Sequence, residues 1–132
     1  SAEAVIVNRA DGLGVDRIRQ FGIPQLILST EKNPVVNVRA EKLGLRVISS
    51  CEDKEVALKN YCAQNGFNLE KVLFVGNDIN DLEVMKIVGY PVAPADAHRD
   101  IIKISCLVTK AKGGEGVVRE LLDLITWENT SK

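Results

Sequence analysis

Histidine occurs once in this 132-residue chain, at His98. A serine-histidine-aspartate triad or a histidine-rich metal centre therefore has little to draw on. Cysteine occurs three times, at Cys51, Cys62 and Cys106, an odd number with no CxxC spacing. That argues against a disulfide framework or a zinc site, and for small thiols in a cytoplasmic protein. Neither sign of charge dominates: 17 basic and 18 acidic residues leave a net charge of -1. Electrostatic capture of nucleic acid or of a membrane surface is not expected. No apolar run approaches the roughly 18 residues of a membrane span. No basic-then-apolar leader opens the sequence, so no signal peptide is expected. Repeats, low-complexity stretches and linkers are missing as well, and one domain over residues 1–132 is the expectation.

What is present is alternation. Short apolar runs at 3–7, 26–28, 45–48, 72–75, 89–95 and 106–109 predict strands. Between them, apolar residues at helical spacing predict helices over 15–21, 34–43, 53–64, 78–88 and 96–102, with a last one over 117–127. Asn33-Pro34 and Asp53 read as helix starts, and Gly22, Gly44 and Gly66 as stops. Pro91 places the fifth strand near a sheet edge. Strands that alternate with helices over short connections predict an α/β fold, a central parallel sheet with helices on both faces.

The run Val72–Val75 is unbroken apolar, as in a strand buried on both faces. Gly76 breaks it, and Asn77, Asp78 and Asp81 follow. Two other strand ends are polar: Ser29-Thr30, and Ser49-Ser50 leading to Lys54. In a parallel sheet all three ends face the carboxyl edge, where open α/β sheets bind ligands. Hydroxyls and the Lys54 ammonium suit phosphate oxygens, and carboxylates suit Mg²⁺, which prefers hard oxygen ligands. Each feature also has a plainer reading. Asp78 and Asp81 fit a helix cap and a first-turn acid. Ser29 and Thr30 fit a strand end, Lys54 a surface lysine, and His98 an exposed residue near a helix start.

Taken in order, DGLGV at 11, GIPQLILSTEKN at 22–33, RAEKLGL at 39–45, EDK at 52–54, FVGNDINDLEVMKIVGYPVAPADAH at 74–98 and KGGEGVVREL at 112–121 resemble the haloacid dehalogenase superfamily of phosphatases. The resemblance is to its small cap-less branch, which includes the 3-deoxy-manno-octulosonate 8-phosphate phosphatases. The phosphatase-like C-terminal domains of acylneuraminate cytidylyltransferases belong there too. The resemblance implies a three-layer α/β/α Rossmann-like core without a cap domain. It implies phosphate binding by Ser29 and Thr30, charge balance at phosphate by Lys54, and Mg²⁺ at Asn77, Asp78 and Asp81. It implies a phosphorylated sugar acid as ligand, and a homo-oligomer or a fusion to a cytidylyltransferase domain as assembly. A vertebrate-type synthetase would add a nuclear location. The segment 113–119 resembles a loop that borders the active site.

Two departures set the functional expectation. Family enzymes open with a strand ending in DxD, whose first aspartate attacks phosphorus, and no DxD stands near this N-terminus. If AVIV at 4–7 is that strand, register puts Arg9 at the nucleophile and Asp11 at the general acid/base. If DGLGV instead matches the segment after a hairpin, the nucleophile strand is absent from this chain. Asn77 is the second departure, an amide where the family's metal-binding aspartate usually stands. The expected function is therefore a phosphatase-like domain with impaired catalysis and weakened Mg²⁺ affinity, serving assembly or regulation. The alternative is an active Mg²⁺-dependent phosphatase of an eight- or nine-carbon sugar-acid phosphate. A receiver-like module fits less well, because its acid pair and phosphoacceptor would fall at Asn8-Arg9 and Ser49-Ser50. The AVIV run is expected to fill the central place in the sheet.

Overall fold

The computed structural model describes residues 3–7, 22–30, 38, 41–42, 44–48, 52–110 and 120. Six strands form one sheet: β1 (Ala4–Val7), β2 (Gln25–Leu28), β3 (Arg46–Ile48), β4 (Val72–Val75), β5 (Tyr90–Ala93) and β6 (Leu107–Val108). Their spatial order is β3-β2-β1-β4-β5-β6, and every pairing is parallel. The AVIV run does take the central place. Val7 pairs with Ile27 on one side and Val75 on the other.

Three described helices follow the strands: α1 (Lys54–Asn65), α2 (Leu82–Met85) and α3 (Arg99–Ile104). Leu58 and Cys62 of α1, Val84 and Met85 of α2 and Ile101 of α3 pack on Ala4, Ile6, Leu26, Leu28 and Phe74. The alternate strand residues Val5, Ile27 and Leu73 are buried as well. Side chains in a strand point alternately to opposite faces, so the sheet is covered on both sides. This is the expected α/β Rossmann-like core. Burying each large aliphatic or aromatic side chain of the central strands contributes about 1.5–3 kcal/mol. Among the described residues no helix is long and apolar enough to cross a membrane.

Local sequence explains the helix starts. Asp53 accepts from Val56 N at 3.2 Å and caps α1. α3 starts later than the expected residue 96: its cap is His98, whose Nδ1 accepts from Asp100 N at 3.1 Å. The helix expected over 78–88 is broken up. A 3-10 turn, Ile79–Asp81, precedes the four residues of α2. Beyond Met85 the backbone loosens: Lys86 N is shared between Leu82 and Glu83 carbonyls, and Ile87 N turns to Val84 O.

β5 is one strand in from the edge, because β6 pairs outside it. Pro91 is tolerated there for a geometric reason. Its carbonyl accepts from Cys106 N, so its nitrogen faces the same outer side, and the ladder with β6 begins only at Val92 and Leu107. No ladder bond is lost. The last strand is shorter than the expected 106–109. The expected helix over 15–21, with Arg9, Asp11, Ser49-Ser50, Cys51 and the loop 111–116, lies outside the described residues; of the helix expected over 117–127, Glu120 is described and helical. Of the helix expected over 34–43, Val38, Glu41 and Lys42 are described and helical.

Tyr61 and Cys62 join this core to pH. The Tyr61 ring lies 5.8 Å from that of Phe67, and the Arg46 guanidinium stands 5.5 Å from its centre. Burial pushes the Tyr61 hydroxyl above its ordinary 10.0, against the opposing pull of Arg46. Burial, then the charge of Glu3, pushes the Cys62 thiol above its ordinary 9.0. As pH rises, the unfolded chain releases these protons first, so the folded chain binds more protons and stability falls. Urea midpoints should be level from pH 7 to 8 and drop above roughly pH 9. A midpoint constant through roughly pH 10.5 would count against this burial.

Candidate active site at the carboxyl edge

Four polar or charged residues are buried among the described ones: Ser29, Lys54, Asp81 and Thr109. Burying such groups is costly unless they are paired. All four lie at the carboxyl edge. Ser29 follows β2, Lys54 opens α1, Asp81 follows β4 and Thr109 follows β6. The described residues thus gather their buried polarity at one edge, where a parallel sheet presents a ligand site.

The centre of this edge is an ion pair. Lys54 Nζ lies 2.5 Å from Asp81 Oδ1, with side-chain exposures of 5% and 0%. The second carboxylate oxygen, Oδ2, accepts from Asn77 N at 3.1 Å and Asp78 N at 3.2 Å. A charge-assisted bond and two backbone donors thus hold the carboxylate from both sides. The Asp78 carboxylate accepts from Ile79 N at 2.8 Å and completes a capping box with Asp81. The reach of Asp81 back to the turn explains the 3-10 geometry, with Asp81 N bonded to Asp78 O at 2.9 Å.

Gly76 makes room for this return. A Cβ there would come within 2.5 Å of Met85 Sδ and 2.8 Å of Asp81 Cβ. His98 fixes the turn from the other side, its backbone N–H donating to Asn77 O at 2.9 Å.

Ser29 and Asn77 stand at one level. Each lies two residues beyond the partner of Val7, Ile27 in β2 and Val75 in β4. They therefore flank the end of β1, two strand spacings or roughly 10 Å apart. Ser29 N donates to Ile48 O at 3.0 Å, which ties this end of β2 to β3.

The sequence-derived residues divide as follows. Lys54 and Asp81 meet, and the plain reading of Lys54 as a surface lysine fails because the ammonium is dry. Asn77 is half-buried and Asp78 exposed on the same turn, while Thr30 is exposed beside buried Ser29. Asp11 lies outside the described residues. Asp81 is engaged by Lys54 and two backbone N–H groups. Two contributions were missed. Thr109 is buried with its N–H on Ala93 O at 2.9 Å, and the rule that picked Ser29, a polar residue just past a strand, would have found it. The backbone anchor from His98 leaves no such trace.

Comparison with known proteins follows the same lines. A family profile for haloacid dehalogenase-like hydrolases matches residues 24–121. The chain is 35% identical over 119 residues to the 3-deoxy-D-manno-octulosonate 8-phosphate phosphatase of Yersinia pestis, covering 89% of this chain and 64% of that protein. It thus spans a little under two thirds of that relative. A solved structure from Streptomyces avermitilis, assigned to the HAD family of hydrolases, superposes with a TM-score of 0.85 at 38% identity. The match covers 90% of this chain and 82% of that one. The solved structure of the Yersinia pestis phosphatase superposes with a TM-score of 0.86 at 28% identity, over 94% of this chain and 80% of that one.

Proposed function

The chain belongs to the haloacid dehalogenase-like hydrolases, and we propose that its carboxyl edge is the site of a phosphomonoesterase acting on a phosphorylated eight- or nine-carbon sugar acid. The buried Lys54–Asp81 pair carries this reading. An ammonium held in a dry site at a sheet's carboxyl edge is preorganised to meet negative charge on a phosphoryl group. Lys54 balances charge on the phosphate oxygens, and Ser29, with Thr30 at the rim, binds them. Asp81 orients Lys54. The position from which a nucleophile would attack, at the end of β1, lies beyond the described residues together with Asp11, which we keep as the acid-base group. The relative from Yersinia pestis, by its name, acts on 3-deoxy-D-manno-octulosonate 8-phosphate, and this supports the substrate class.

The donors fit Mg²⁺ in kind. Asn77 and Asp78 offer hard oxygens on one turn, and both would hold the ion. When bound, it supplies charge neutralisation to the transferring phosphoryl group. Among the described residues no group of three His, Cys, Asp or Glu side chains is gathered to hold a metal, so the fit is in donor type more than in charge.

The test is phosphate release from 3-deoxy-manno-octulosonate 8-phosphate and an acylneuraminate 9-phosphate, with and without Mg²⁺. Metal-dependent turnover is expected, and Lys54→Met should reduce it by roughly 10²–10³. A folded chain that releases no phosphate from either would overturn the reading. One observation favours a second reading, a phosphatase-like domain with impaired catalysis that serves assembly beside a cytidylyltransferase. Asn77 brings no charge to the turn, which would weaken metal binding. Folded, inactive protein would support it.

A further inference from the structure

We infer that the His98 side chain positions the turn 77–81, acting through the cap it places on α3. The inference rests on the phosphomonoesterase reading for its effect on catalysis and deepens it, by naming a residue whose side chain stands off the turn and sets its aim.

His98 is a joint between α3 and that turn. On the helix side its carbonyl accepts from Ile101 N at 2.9 Å and Ile102 N at 3.1 Å, and its Nδ1 accepts from Asp100 N at 3.1 Å. On the turn side its own N–H donates to Asn77 O at 2.9 Å. The ring bond holds the residue in non-helical backbone, φ -56° and ψ 140°, so its N–H points off the helix end. α3 is seated in turn by Ile101, which is fully buried. The joint therefore ties the turn to the core.

Asn77 is held at both of its peptide groups. Its N–H donates to Asp81 Oδ2 at 3.1 Å, and its carbonyl accepts from His98. The first bond comes from within the turn and the second from α3. Together they fix the direction in which the Asn77 side chain leaves the backbone. They fix Asp78 as well, whose N–H shares Asp81 Oδ2 at 3.2 Å. The ladder between β4 and β5 closes with Gly76 N on Val92 O at 3.1 Å, and His98 carries the link one residue further. A cap's plainer role is to stabilise its helix and no more. A site whose groups are displaced by about 1 Å loses far more rate than stability.

The experiment compares His98→Ala, His98→Asn and Asn68→Ala in the full chain. Asparagine is a good cap and can accept from Asp100 N. Asn68 caps the 3-10 turn Leu69–Lys71 by accepting from Glu70 N at 3.0 Å, so its loss is that of a cap at the opposite edge of the sheet. Amide hydrogen exchange, followed by nuclear magnetic resonance, needs neither metal nor turnover. In His98→Ala the amides of Asn77 and Asp78 should exchange about fivefold faster or more, measured against those of β4. His98→Asn should restore them, and Asn68→Ala should leave them unchanged. In phosphate release with Mg²⁺, His98→Ala should lower kcat about tenfold at little-changed KM, and His98→Asn should recover it. Wild-type exchange at Asn77 and Asp78 in His98→Ala overturns the inference, and so does a wild-type kcat. If the wild type releases no phosphate while exchange behaves as expected, the phosphomonoesterase reading fails and the positioning of the turn by His98 stands. Should His98→Ala not fold, the wild type decides. Its Asn77, His98 and Asp100 amides should open as one unit with a shared dependence on urea, and separate openings would overturn the inference.

Discussion

Asp81→Asn is expected to lower the stability of the fold by about 3–5 kcal/mol and to abolish phosphate release. The substitution keeps the shape of the side chain. Its amide oxygen can still accept from Asn77 N and Asp78 N, which now hold Asp81 Oδ2. Its amide N–H₂ then faces the Lys54 ammonium, donor against donor, at the position of a 2.5 Å ion pair. Both side chains are out of water, so the stranded charge finds no solvent to replace its partner. The double variant Lys54→Met, Asp81→Asn tests the cause. It removes the buried charge, so it should be more stable than Asp81→Asn alone and equally inactive. Urea unfolding of the four proteins measures the cycle. If Asp81→Asn unfolds at the wild-type midpoint, water reaches the pair and the site is not dry. If the double variant is the least stable of the four, the loss comes from packing rather than from an uncompensated charge.

That pair also marks where sequence reading reached its limit. The strands were legible because an apolar run of four is a local pattern. Val72–Val75 and Ala4–Val7 were found by it, and the family resemblance, not the run itself, put the latter at the sheet's centre. The polar strand ends were legible for the same reason, and Ser29, Lys54, Asn77, Asp78 and Asp81 were all singled out. Which of them meet was not legible. Lys54 and Asp81 are 27 residues apart, and no periodicity links them. Asp81 was grouped with Asn77 and Asp78 as a metal ligand because all three follow one strand end, on a segment that resembles the family's metal-binding motif. In the fold its carboxylate turns back to Lys54 and to their backbone N–H groups. The helix expected over 78–88 failed for a related reason. Its apolar spacing is real, with Val84, Met85 and Val88 buried. The capping box draws its first turn into 3-10 geometry, and the close approach at Gly89 prevents its end from continuing. Pro91 pointed to a place near the sheet edge, and β5 is one strand in from it, with the proline nitrogen facing a side where the next strand has not yet begun.

Gly89→Ala is expected to cost about 3 kcal/mol or more, the largest effect of any single methyl group considered in this chain. Gly89 N donates to Leu69 O at 3.0 Å, pressing the segment before β5 against the 3-10 turn Leu69–Lys71 that leads into β4. A Cβ at Gly89 would fall 1.7 Å from Glu70 O, 2.5 Å from Glu70 C and 2.9 Å from Glu70 Cα. These are backbone atoms and cannot rotate away. Relief requires moving the turn, and the turn is held by Lys71 N on Asn68 O and by Glu3 N on Lys71 O. The displacement would therefore reach β1 and the pairing of Leu73 with Tyr90. Gly66→Ala is the control. Its φ of 71° disfavours a side chain, but nothing lies within 4 Å of the added carbon, so about 1–2 kcal/mol is expected. Equal midpoints for the two variants in urea would show that the approach at Gly89 yields easily. Gly89 stands at the start of β5, at the amino edge of the sheet, opposite the Lys54–Asp81 pair. Folded Gly89→Ala molecules should therefore release phosphate at the wild-type rate. A proportional loss of rate and stability would instead show that strain at the amino edge is transmitted along β4 to Asn77.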